Sequence, residues 1–87
     1  MVLAGAGLGD WILCQITSQP YTDAKAIAVA NADFAKGSLK KDSYVRPSKL
    51  FTANTGIIVR VIGVLSDNKT TEVLRAVASL FETDLIV

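Results

Sequence analysis

The sequence predicts a small, mainly β domain: a strongly bent sheet or open barrel closed by one C-terminal helix. Three observations predict it. Short runs rich in Val, Ile, Tyr, Phe and Thr recur from residue 11 to residue 65, punctuated by Gly, Pro, Asn and Asp. Only the stretch after Ser66 carries apolar residues at helical spacing. Eighty-seven residues make one domain, near the lower limit for a self-sufficient core.

Val2–Ala4 is a stub of strand, and Gly5–Asp10 a flexible turn. Trp11–Thr17 is the first full strand. Ile12, Cys14 and Ile16 share its core face, while Trp11, Leu13, Gln15 and Thr17 share the other, the last two approaching solvent. The run ends in three hydrogen-bonding side chains, Thr17, Ser18 and Gln19, before Pro20. A scaffold strand delivers polar groups to a surface site in this way. Such a strand normally has partners on both sides, and only Val2–Ala4 precedes it.

Gln19–Lys25 reads as a loop. Ala26–Ala30 is a short strand with Ile27 and Val29 on one side and small alanines, suited to close packing, on the other. Phe34 and Leu39 bracket a polar turn. Ser43–Arg46 is a strand that Pro47 interrupts or bends, and Lys49–Ala53 continues it. Asn54-Thr55-Gly56 reads as a hairpin connection with Gly at a left-handed position. Ile57–Leu65, apolar on both faces except at Arg60, is expected to be the central strand; Arg60 then snorkels to solvent or pairs with a carboxylate. Ser66-Asp67-Asn68 supplies N-cap residues for a helix over Lys69–Glu82, with Glu72 in its first turn and Val73, Val77, Leu80 and Phe81 on its buried stripe.

The chain is 51% hydrophobic with a mean hydropathy of +0.40. A body this small cannot hide so much apolar surface, so a large patch is expected to be covered by a partner, most simply a second copy. A net charge of +1 favours neither nucleic acid nor membrane. Five basic residues (Lys36, Lys40, Lys41, Arg46, Lys49) nevertheless cluster against one acid, Asp42. They form either an ordinary solvated face or a phosphate-contacting patch. No apolar run reaches membrane-spanning length, and the first residues lack the basic and apolar regions of a secretory signal. The single cysteine, Cys14, suits a reducing compartment and a buried structural thiol.

Gly5-Ala6-Gly7-Leu8-Gly9-Asp10 imitates a dinucleotide-binding loop, but Asp10 stands where the third glycine belongs and a β-run follows instead of a helix. Without histidine or clustered carboxylates, no metal site is expected. Ser18 and Ser43 have no base in sequence to activate them. Thr17, Ser18 and Gln19 remain, together with the basic stretch. Hydroxyls, an amide and cations can bind phosphates and stabilise developing charge, but cannot take a proton near neutral pH. Composition and spacing reach a small β domain able to bind nucleic acid, and stop there.

Taken in order, Gly9–Gln19 (GDWILCQITSQ), the F-x-x-G-x-L segment Phe34–Leu39, Asp42–Thr52 (DSYVRPSKLFT), Ile62–Ser66 (IGVLS) and Ser79-Leu80-Phe81 resemble the PemK/MazF family of type II toxin–antitoxin toxins. The resemblance implies an SH3-like small barrel of the PemK/MazF/CcdB kind, homodimeric, cytoplasmic and held inactive by a cognate antitoxin. It also implies a metal-independent, cofactor-free endoribonuclease, sequence-specific for single-stranded mRNA, with DNA contact within a toxin–antitoxin complex. In that reaction the ribose 2′-hydroxyl attacks, leaving a cyclic phosphate and a 5′-hydroxyl. Thr17 matches the family threonine that helps to stabilise the phosphorane-like state. Ser18 and Gln19 fall at the RNA-facing rim, and Arg46 and Lys49 lie in the matching basic strand as backbone contacts. The pattern departs at the N-terminus: a first strand and an Arg-Pro motif, whose arginine is the family's main catalytic cation, are expected before Met1. The domain, residues 1–87, therefore reads as N-terminally incomplete. A non-catalytic module for antitoxin or nucleic acid, or a degenerate remnant, stands as the alternative.

Overall fold

Leu8 and Gly9 both have positive φ, +56° and +78°, the combination a two-residue type I′ hairpin loop requires. In the computed structural model, which describes residues 1–83, they join β1 (Val2–Gly7) to β2 (Asp10–Thr17). The glycines expected to form a flexible turn are thus mostly strand, and the pseudo-dinucleotide loop is a hairpin. The chain continues through β3 (Ile27–Val29), β4 (Phe34–Gly37), β5 (Ser43–Asn54), β6 (Gly63–Leu65) and α1 (Asp67–Thr83).

A curled four-stranded sheet has the order β1-β2-β5-β3, and β4 and β6 form a separate two-stranded sheet. All pairs are antiparallel. The molecule is therefore mainly β with one C-terminal helix, compatible with a small barrel. β5 is its spine: it pairs along β2 and, through its first residues, with β3. The register jumps from Cys14↔Leu50 to Gln15↔Arg46, so Pro47-Ser48-Lys49 have no partners on β2. Proline lacks the N–H that a ladder needs, and the bulge falls where the sequence expects it. Pro47 itself is fully buried.

Ile16, Val45 and Ile27 align across β2, β5 and the edge strand β3 and face the core. That core is thin: Cys14, Val29, Val45 and Val73 are buried, with Leu3, Phe34, Leu50, Leu65 and Val77 packed against them. Burial also pushes the Cys14 thiol pKa up. Ser66 caps α1, its Oγ accepting from Lys69 N–H at 3.2 Å. The helix therefore starts at Asp67, which is its first-turn acid. Glu72, expected in that role, instead pairs with Lys69 at 2.9 Å. Val73 is buried and Val77 packs against the core as expected, Leu80 is half-buried, and Phe81 is mostly exposed. Ala28 and Ala30 are likewise exposed, so the close packing expected of the alanines is not formed.

Three local expectations are corrected. Phe34–Gly37 is strand, not turn, paired with β6 from Phe34↔Leu65 to Gly37↔Gly63. Asn54-Thr55-Gly56 is not a hairpin, and Gly56 is not left-handed. Thr55 instead docks on the first hairpin: its N–H and hydroxyl both donate to the Gly9 carbonyl at 2.9 Å, and its Oγ1 accepts from Trp11 Nε1. Lastly, Ile57–Leu65 is not a central strand. Only Gly63–Leu65 is paired, and Val59 and Val61 are 94% and 80% exposed. A run apolar on both faces fits a strand covered on both sides, and no described element covers this one.

The consequence is measurable. The accessible surface is 6400 Å², against roughly 4,900 Å² for a compact monomer of this mass. The radius of gyration is 13.4 Å, against about 12 Å for this length. An open apolar cavity of about 650 Å³ is lined by Trp11, Leu13, Phe34, Ile58, Val61 and Val64 among others, with Arg60 also in its wall. Arg60 is exposed and forms no ion pair among the described residues, so the solvent alternative holds.

Candidate nucleic acid interface

Gln15 pairs with Arg46 and Thr17 with Tyr44, two residues apart on each strand. Side chains in such positions share one face of a sheet. Four polar side chains therefore stand together on the face opposite the core, and Ala28 of β3, the partner of Tyr44, leaves the area beside the phenol open.

Thr17 lies half-exposed where β2 ends. Its hydroxyl accepts from Gln19 N–H at 3.1 Å and donates to the Gln19 carbonyl at 3.3 Å. The second bond is longer than an O–H···O bond prefers, so the proton is readily redirected to a ligand oxygen. This small turn also bends the chain off the sheet and leaves Ser18 and Gln19 exposed at the rim.

Arg46 is held on two sides. Its Nε donates to Asp23 Oδ2 at 2.7 Å and its Nη1 to Gln15 Oε1 at 3.0 Å. The side chains of Arg46 and Asp23 are 25% and 10% exposed. The Arg46 hydrogen bond, and then the Lys25 N–H that donates to Oδ1, hold the Asp23 pKa below the usual carboxylate range. Because the folded pKa is depressed, the pair's contribution is full above about pH 5 and lost as pH falls through about 4 and below. Thermal melts from pH 6 to pH 3 should therefore show a steeper fall in Tm for wild type than for Asp23→Asn.

Of the site residues expected from sequence, Thr17 and Arg46 share this face, and Ser18 and Gln19 sit at its end. Lys49 is exposed but lies within the unpaired 47–49 bulge, outside the Gln15–Thr17 register. The basic stretch does not form one stripe, since Lys36 belongs to β4 in the other sheet. Gln15, Asp23 and Tyr44 are the additions. A polar residue at alternate strand spacing could have signalled Gln15, but nothing local links Asp23 to Arg46, twenty-three positions away.

No family model matches the chain, and no curated protein is recognisably similar to it in sequence. Among the described residues, no three His, Cys, Asp or Glu side chains come together, and no helix is long and apolar enough to cross a membrane.

Proposed function

We propose that this chain is a PemK/MazF-type toxin domain, an SH3-like small barrel, which lays single-stranded RNA across the outer face of β2 and β5 and uses Thr17 in cleaving it. The observation that carries the reading is the register that puts the Thr17 hydroxyl and the Arg46 guanidinium on one face. The ordered resemblance of Gly9–Gln19 and Asp42–Thr52 to the family supports it. A hydroxyl donor and a fixed cation are what a phosphodiester needs as its non-bridging oxygens gain charge. In the step itself the 2′-oxygen bonds to phosphorus, the 5′-oxygen departs, and the 2′-proton ends on the 5′-hydroxyl by way of solvent. Asp23 is a poor base for that proton, because Arg46 stabilises its ionised form.

The test is incubation of the 87-residue chain with single-stranded RNA, with and without a chelator, and mapping of the product ends. Chelator-resistant cleavage giving a cyclic phosphate and a 5′-hydroxyl supports the proposal, and would show that the family's Arg-Pro arginine is either dispensable here or replaced, with Arg46 and Arg60 the candidates. Binding without cleavage favours a second reading, a non-catalytic nucleic-acid or antitoxin module. The hydrogen bonds that already occupy Thr17 and most of Arg46 are the observation in its favour. Failure to bind RNA overturns the proposal.

The surplus of about 1,500 Å² over the compact expectation exceeds the roughly 800 Å² that one partner contributes to a standard interface and falls in the range of a larger, obligate one. A second copy, or the antitoxin, covering Ile57–Val64 would account for it. Replacing Val59 and Val61 together by lysine should then shift the chain toward monomer in sedimentation velocity. An unchanged distribution would place the contact elsewhere.

A further inference from the structure

Tyr21 combines two properties seldom found together. It is 82% exposed, and its φ is +55°, a left-handed conformation that costs a bulky non-glycine residue. Backbone held in a costly conformation clusters at functional sites. Tyr21 follows Pro20 in a tight turn closed by Asp23 N–H to the Pro20 carbonyl at 3.1 Å, and a second turn follows from Ala26 N–H to the Asp23 carbonyl. Asp23 is the hinge of both. Its Oδ1 caps Lys25 N–H and its Oδ2 takes Arg46 Nε. One carboxylate thus fastens the Tyr21 turn to the sheet face at Arg46, and chain geometry keeps the Tyr21 Cα within about 7 Å of that of Asp23.

Arg46 completes the arrangement. With Nε and Nη1 engaged, its guanidinium plane is fixed, and Nη2 has no hydrogen-bond partner among the described residues. A fixed cation with free N–H groups suits a phosphate oxygen. The exposed ring of Tyr21, on the turn that Asp23 fastens to Arg46, suits the face of an unpaired base, whatever its identity.

We propose that the loop of residues 20–26 and Arg46 form a nucleotide subsite, in which Tyr21 stacks an unpaired base and Arg46 Nη2 binds the adjoining phosphate. Asp23 is its positioning residue. The proposal rests on the RNA reading above but adds to it a base-recognition element outside β2 and β5.

The test uses the full chain and a 2′-O-methyl oligoribonucleotide, which 2′-hydroxyl attack cannot cleave, carrying a fluorescent adenine analogue quenched on stacking. Wild type should bind and quench. Tyr21→Ala should weaken binding about fivefold or more and abolish the quench, with Tm unchanged, while Tyr21→Phe retains both. Arg46→Ala should reduce the slope of log affinity against log salt by about 0.7, one phosphate's worth on a single strand. Asp23→Asn should lose the quench while keeping the salt slope, which a general loss of folding would not do. A deoxyribose oligomer with the same Tyr21 dependence also supports the subsite, without a preference for RNA. Wild-type binding that Tyr21→Ala leaves untouched overturns the subsite alone. No wild-type binding overturns both this subsite and the RNA reading.

Discussion

Gly37→Ala is expected to cost about 3 kcal/mol or more, whereas Gly7→Ala costs about 1 kcal/mol. Both glycines have positive φ, +74° and +85°, so both substitutions carry the conformational cost of a side chain in left-handed space. Their surroundings differ. A Cβ at Gly7 meets nothing within 4 Å, but one at Gly37 overlaps the Ile62 carbonyl oxygen and comes within 2.7 Å of Gly63 Cα. These are backbone atoms with no rotamer to give, so relief requires β4 and β6 to separate. Phe34 and Leu65 pack against the core from those strands, and would be loosened with them. For a chain of this length total stability is about 4–13 kcal/mol, so the difference is a large share. Chemical denaturation of the two variants side by side measures it. Equal losses would mean that the β4–β6 contact is weak.

That close approach was invisible in the sequence, where Gly37 sits among Lys36 and Ser38 and reads as a turn. Its partner, Gly63, lies twenty-six residues on, and only three-dimensional pairing makes the two glycines a unit. The parts that could be read locally were those whose signals act locally. The apolar run of β2 ending at Thr17, the bulge at Pro47 and the Ser66 cap each follow from a residue and its immediate neighbours. Ile57–Leu65 misled for the opposite reason. Its β-propensity is strong, but propensity says only that a segment will pair if a partner is there. Asn54-Thr55-Gly56 does turn, with Gly56 N–H donating to Asn54 Oδ1 and Ile58 N–H to the Thr55 carbonyl, but its other hydrogen bonds go to Gly9 and Asp10 and not to a following strand.

The site divides in the same way. The place of Thr17 at the end of β2 is legible because an abrupt change from apolar to polar marks a strand's exit, and Arg46 is noticed because basic residues gather near it. Asp23 looked like an ordinary loop acid, although it sets the orientation of Arg46 and anchors the turn of Tyr21. Its effect is long-range in sequence and short-range in space.

Thr17→Ala should lower single-turnover RNA cleavage about a hundredfold, the lower end of the range for removing one donor to a developing oxyanion. The lower end applies because the hydroxyl already has a partner. Its proton must leave the Gln19 carbonyl, 3.3 Å away, before it can serve the phosphorane-like state. Binding of the uncleavable RNA analogue should change little, since that exchange gains nothing until charge develops. Losing the Gln19 bonds at an exposed strand end should cost under about 1 kcal/mol of stability. Thr17→Ser keeps the hydroxyl and should recover most of the rate. Arg46→Ala should show the reverse balance, weakening binding as much as turnover, because a cation meets the phosphate in ground and transition state alike. If Thr17→Ala instead weakened binding and left the rate of bound RNA unchanged, Thr17 would be a contact residue only. The chemistry would then have to be sought away from the end of β2.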